Sequence, residues 1–144
     1  MNKILVSFDL DSSDYTAPLG FEVLLDDVVL FSVDHVKEST PVSLEIDDDD
    51  SEHEFKFVMK NKTQEHTVVD DAGNIISNAM LSIANVTFDQ IKLGHVFVER
   101  TVYYHDFNGA QAPIEDTFYG DMGCNGYVSL RFTTPMYLWL LENT

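Results

Sequence analysis

Apolar side chains return at every second position along most of this chain, not at every third and fourth. In KILVSFDL, Ile4, Val6, Phe8 and Leu10 fall on one side of an extended strand. Phe21, Val23 and Leu25 do the same; the pair Asp26-Asp27 reads as a turn, and VVLFSV returns as the second arm of a hairpin. VSLEI follows, then EFKFVMK, where Phe55, Phe57 and Met59 alternate with Glu54, Lys56 and Lys60. One face of each strand is buried and the other is wet.

The second half carries the same pattern with clear punctuation. HTVV meets the turn signal DDAGN, and MLSIANVTF and QIKL come next. HVFVERTVYY, rich in β-branched and aromatic residues, predicts the strongest strand of the chain. YVSLRFTT and MYLWLLE read as closing strands on either side of Pro135. Between them and the preceding strand, residues 105–126 form a long irregular region holding Gly109, Gly120, Gly123 and Gly126. No segment shows a helical stripe with a polar face; MYLWLLE has helical propensity but no polar face to expose. About nine or ten short strands with fewer than about a tenth of the residues in helix predict an all-β, jelly-roll-like antiparallel β-sandwich, a single domain over residues 1–144.

Composition agrees with a folded domain and narrows its partners. The 144 residues are 44% hydrophobic, enough for a core despite a formal net charge of −17. Residues 1–71 carry 18 acidic and 5 basic side chains and residues 72–144 carry 7 and 3, an excess of −13 against −4. A field of that sign repels nucleic-acid phosphates and anionic headgroups, so neither nucleic acid nor membrane is expected as a partner. No basic region precedes an apolar signal core, and the longest apolar run, MYLWLL, falls far short of the roughly 20 residues that span a bilayer.

Candidate chemistry is sparse. Asp47 to Asp50 offer carboxylates that calcium accepts, but consecutive residues of an extended chain alternate in direction and no glycine turns the loop around an ion. A solvated turn that keeps the adjacent strand from pairing with other edges explains them without a metal. His35, His53, His66, His95 and His105 include no pair at i, i+2 or i, i+4, although Asp106 beside His105 is a possible orienting carboxylate. Cys124 has no partner for a disulfide and reads as a small residue in the tight loop GDMGCNG. Neither G-x-S-x-G nor S-x-x-K occurs. No catalytic residue, bound cofactor or metal ligand is assigned, and the expectation is a protein that is not an enzyme.

Aromatic residues are the remaining candidates. Tyr103, Tyr104, Phe107, Phe118, Tyr119, Tyr127, Tyr137 and Trp139 gather in the last third, and exposed together they would form a stacking platform for sugar rings or anchors for a protein partner; Tyr104, Phe107, Phe118 and Tyr119, in or beside the glycine-rich region, are the binding candidates. Folded back, the same residues would instead cover one end of the core.

Two resemblances add expectations of their own. FEVLLDDVVLF, the acidic loop, HEFKFVMKN and VTFDQIKLG are similar to small carbohydrate-binding modules of the jelly-roll class, which implies a glycan partner and, in some members, calcium held by acidic loops. DDAGNIISNAMLSIANVTFDQIKLGHVF and FYGDMGCNGYVSLRFTTPMYLWLLEN resemble proteins of marine tailed phages, cyanophages especially. That second resemblance implies a virion component (decoration, neck or fibre-associated) in contact with subunits of an assembly or with further copies of itself. The leading expectation is therefore a noncatalytic structural or binding protein located in a virion, or otherwise soluble. Its alternative is a carbohydrate-binding module, with calcium as a possible cofactor.

Overall fold

The computed structural model describes residues 3–107 and 109–143. Ten-residue β1 (Lys3–Ser12) buries every second side chain from Ile4 to Ser12, as its sequence predicts. Gly20–Leu25 (β2) and Val28–Val33 (β3) form the expected hairpin, with Asp26 and Asp27 both at positive φ (48° and 68°). Positive φ at both central residues is what a tight two-residue connection between twisted strands demands.

β4 (Thr40–Asp47) and β5 (Glu52–Lys60) do not pair with each other, because β4 lies on β1 and β5 on β2. The aspartate run therefore spans the gap between two sheets. One sheet runs β12 (Asp121–Met122), β8 (Leu81–Phe88), β1, β4, with β9 (Ile91–Lys92) also on β8. The other runs β11 (Ile114–Asp116), β10 (Thr101–His105), β13 (Gly126–Thr133), β5, β2, β3. A separate hairpin joins β6 (Thr67–Val69), preceded by a 3-10 turn at Gln64–His66, to β7 (Ile75–Asn78). The pairings are antiparallel, and the molecule is an antiparallel β-sandwich.

Rings fill the space between the layers. Phe8 of the first sheet meets Phe21 and Phe57 of the second edge-on, at 6.0 and 5.6 Å between centroids, and Phe55 stacks on Phe132 at 5.3 Å. Each such ring removes a large apolar area from water, worth about 1.5–3 kcal/mol when fully buried.

Two segments expected as strands fold differently. HVFVERTVYY divides into α1 (His95–Arg100) and β10, because the chain must cross from β9 in one sheet to β10 in the other. Gly94 turns it with φ 55°, adjacent Val96 and Phe97 both enter the core as a helical turn allows, and the Thr101 hydroxyl donates to the Phe97 carbonyl at 2.5 Å. MYLWLLE, expected as a strand, is α2 (Met136–Asn143). It starts directly after Pro135 and buries Met136, Trp139 and Leu140, the i, i+3, i+4 face of a helix, while Tyr137, Leu138 and Leu141 stay exposed without a polar face. Among the described residues α1 and α2 hold 6 and 8 residues, about the expected tenth, and the 3-10 turn at Gln64–His66 brings helix of all kinds to 12%.

Candidate functional site

The aspartate run divides its side chains among separate tasks. Asp47 pairs with Lys3 across the β1–β4 ladder. Asp49 turns one oxygen, Oδ1, to three donors: Ser51 Oγ at 2.6 Å, His53 Nε2 at 2.7 Å and Thr134 Oγ1 at 3.1 Å. Led by the Ser51 and then the His53 hydrogen bond, these contacts hold its carboxyl down at about 2. His53 reaches Asp26 Oδ2 with Nδ1 at 2.5 Å, so the imidazole ties the β2–β3 turn to the loop between β4 and β5. Burial alone would lower the His53 pKa, but hydrogen bonds to Asp26 and Asp49 outweigh it and the net shift is upward.

Ser51, His53 and Asp26 stand in the order of a hydrolytic relay, with Ser51 Oγ 3.0 Å from His53 Nε2. The protons are wrongly placed for that chemistry. Ser51 has a nearer acceptor in Asp49, and an imidazole held between two carboxylates is stabilised as the cation, which has no lone pair to take a hydroxyl proton. An open cleft of about 550 Å3 lies alongside, lined by Asp26, Glu52, His53, Glu54, Arg131 and Trp139 among others. Among the described residues no three His, Cys, Asp or Glu side chains are gathered as a metal ion would require. In the loop of Asp47 to Asp50, where the resemblance to carbohydrate-binding modules implies calcium in some members, Asp47 is engaged by Lys3 and Asp49 by Ser51, His53 and Thr134.

The other histidines are dispersed: His35 Nε2 lies 2.8 Å from the Tyr15 carbonyl, and His66 Nδ1 accepts from the Thr63 amide. His105 is buried, with Nε2 3.4 Å from Asp116 rather than placed on its sequence neighbour Asp106. Burial pushes the Cys124 thiol up, a shift the nearby Lys62 opposes but does not reverse, so the sulfur is not prepared as a thiolate. Lys62 is itself buried, giving its ammonium to Asn78 Oδ1 and the Gly123 carbonyl, and desolvation lowers its pKa.

The four expected aromatic residues separate. Phe118 is fully buried, edge-on to Phe97 and Tyr103, and so belongs to the core. Tyr119, next in sequence, is 79% exposed and lies by a different cleft, with Glu99, Glu115 and Asp116. Phe107, at the edge of exposure with φ 55°, sets its ring edge-on to His105 at 4.7 Å. Tyr104 is half-buried on the outer face of β10. There it stacks on Tyr127 of β13, ring centroids 5.0 Å apart and planes 27° from parallel.

Sequence reasoning counts Tyr127 among the aromatic residues of the last third but not among the four binding candidates, and does not pair it with Tyr104. The signal that would have found it is register: Tyr104 and Tyr127 are directly opposed across the ladder, a relation that a linear pattern does not reveal. Lys56 lies 5.2 Å from the Tyr127 ring centre while its ammonium is held by Asp27 at 2.9 Å. Beside the tyrosine pair an apolar-walled cleft of about 320 Å3 is bounded by Tyr104, His105, Asp106, Pro113, Asn125, Gly126 and Tyr127. Glycan sites have this construction, a ring face for the C–H side of a sugar and a few polar groups for its hydroxyls.

Neither a family model nor a curated protein matches the chain. Solved structures do. The chain is similar in fold to vCBM60, reported in connection with two families of calcium-dependent carbohydrate-binding modules linked by circular permutation. The selenomethionine form aligns with a TM-score of 0.56 at 7% identity, covering 88% of this chain and 89% of that one. For vCBM60 in complex with galactobiose the TM-score is 0.52 at 8% identity, covering 88% and 96%. The fold is shared; at these identities the sequence is not. The likeness lies with the carbohydrate-binding expectation, and the comparisons offer nothing for the virion one.

Proposed function

We propose that this chain is a noncatalytic carbohydrate-binding β-sandwich whose glycan lies on the Tyr104 and Tyr127 face. The observation that carries the reading is the tyrosine stack at the mouth of an apolar cleft. It stands on a fold similar to a protein solved with galactobiose. Phe107 and Asp106 border the same end of β10 and extend the surface available to a second sugar ring, whereas Tyr119 lines a different cleft. Binding does not pass through the aspartate run, where Asp47 serves Lys3 and Asp49 serves Ser51, His53 and Thr134.

Isothermal titration with galactobiose and a panel of neutral oligosaccharides tests this, with Tyr104→Ala and Tyr127→Ala as variants. Each variant is expected to weaken the best ligand by about tenfold or more, the value of one lost aromatic stacking partner, at unchanged circular dichroism. Binding that survives both substitutions, or an absence of binding across the panel, overturns the reading.

A further inference from the structure

The β6–β7 hairpin has no place in either sheet and no part in the tyrosine face. Its base is anchored: Lys62 Nζ and Thr67 Oγ1 both bond Asn78 Oδ1, and the Ala79 amide donates to the His66 carbonyl at 2.9 Å. Its tip is preorganised by Asp70, whose Oδ1 accepts from the amides of Ala72 and Asn74, with Gly73 at φ 86°. The arm itself is apolar and open, with Val68 48%, Val69 53%, Ile75 66% and Ile76 66% exposed. Val69 faces Ile75 across the ladder and Val68 faces Ser77 on the opposite side, so aliphatic groups point outward from both faces. Among the described residues neither outer edge is paired.

A two-stranded ribbon with both faces in water is marginal, and a third strand supplies both backbone partners and apolar contact. β3 also has an outer edge exposing Val28 and Val29, but Phe31 and Val33 already pack that strand onto the core. The hairpin has no such support. Its surroundings are acidic, with Glu65 before it and Asp70 and Asp71 at the turn, on a chain of net charge −17. A second copy would bring like charge to the contact; a cationic strand would bring the opposite one.

We infer that the β6–β7 hairpin is a docking arm that takes a third strand from a basic, extended protein segment alternating aliphatic and cationic residues. The inference is independent of the glycan reading, since no residue is common to both.

The probe is a synthetic peptide alternating lysine and valine, titrated by fluorescence anisotropy onto the full chain at about 0.15 M salt, where non-specific attraction is largely screened. Lysine–serine and glutamate–valine peptides of equal length are the controls. The lysine–valine peptide is expected to bind about tenfold or more tighter than either control, and the Val69→Ser/Ile75→Ser double variant to lose about tenfold, one step of 1.4 kcal/mol. Amide exchange at 67–69 and 75–78 slows in the complex, while a Val29→Ser variant on β3 binds like the parent. Equal binding of the lysine–serine peptide would reduce the effect to charge alone and overturn the proposal. So would binding lost through Val29→Ser, unaltered by the double variant, or absent altogether. Self-association by sedimentation that the double variant abolishes would assign the arm to a second copy and equally overturn it.

Discussion

Asp49 and His53 each depend on the other's charge, and the dependence has a definite pH window. The His53 pKa is raised above 6.5 in the folded chain, so its contribution is complete below that value and fades as pH rises through the higher folded one. Asp49 runs oppositely: its pKa falls from 3.8 to about 2, so its contribution is complete above 3.8 and fades on acidification toward 2. Both act together between roughly pH 4 and 6.5. His53→Asn is expected to lower folding stability by about 1 kcal/mol at pH 6, the scale left to a charge-assisted bond once solvent screens its exposed carboxylate partners, and by less at pH 8.5. Urea denaturation of parent and variant at the two pH values measures the difference; a gap that is constant or wider at pH 8.5 refutes the clamp. The sequence supplied the residue types for this contact, not the contact. Asp26 and His53 are 27 positions apart, and Thr134 lies 85 from Asp49.

Gly126 connects an element to the candidate site. It opens β13 at the start of the ladder with β10, and a Cβ placed there would stand 2.2 Å from the Tyr104 carbonyl oxygen, far inside contact distance and against backbone that cannot swing aside. Gly126→Ala is therefore expected to cost about 1–3 kcal/mol as the strands part. It should also weaken glycan binding by drawing Tyr104 off Tyr127, which thermal melts and the same titrations would report together. An unchanged melt would show that the close approach is not needed. Strands of this kind were legible because a half-buried sheet imposes period two, visible in Ile4 to Leu10 and Phe55 to Met59. The short helices were not. In α1 a β-branched, aromatic sequence is bent by the need to cross between sheets, and in α2 the outward residues Leu138 and Leu141 are as apolar as the inward ones. The same ambiguity hid which aromatic residues were surface, since neighbours Phe118 and Tyr119 point oppositely on a segment whose phase only the fold determines.

For the whole molecule, charge decides what added calcium will do. A chain with 25 acidic and 8 basic side chains repels itself when folded, so any added electrolyte stabilises it by screening, and a divalent cation does so efficiently whether or not it has a site. A rise in melting temperature with calcium alone therefore says nothing about a site. The informative comparison is calcium against magnesium at matched ionic strength, because a site of six to eight oxygens selects the larger ion whereas screening does not. In the aspartate run, Asp47 is turned to Lys3 and Asp49 to Ser51, His53 and Thr134. Gathering these carboxylates around an ion would first break the clamp that joins β5 to the β2–β3 turn. The expected outcome is an equal rise with both cations, retained in an Asp48→Asn/Asp50→Asn variant apart from the small reduction that two fewer charges bring. A calcium-specific increment of several degrees, lost in that variant and returning glycan affinity that a chelator removes, would instead mean that the loop rearranges into a metal site on binding.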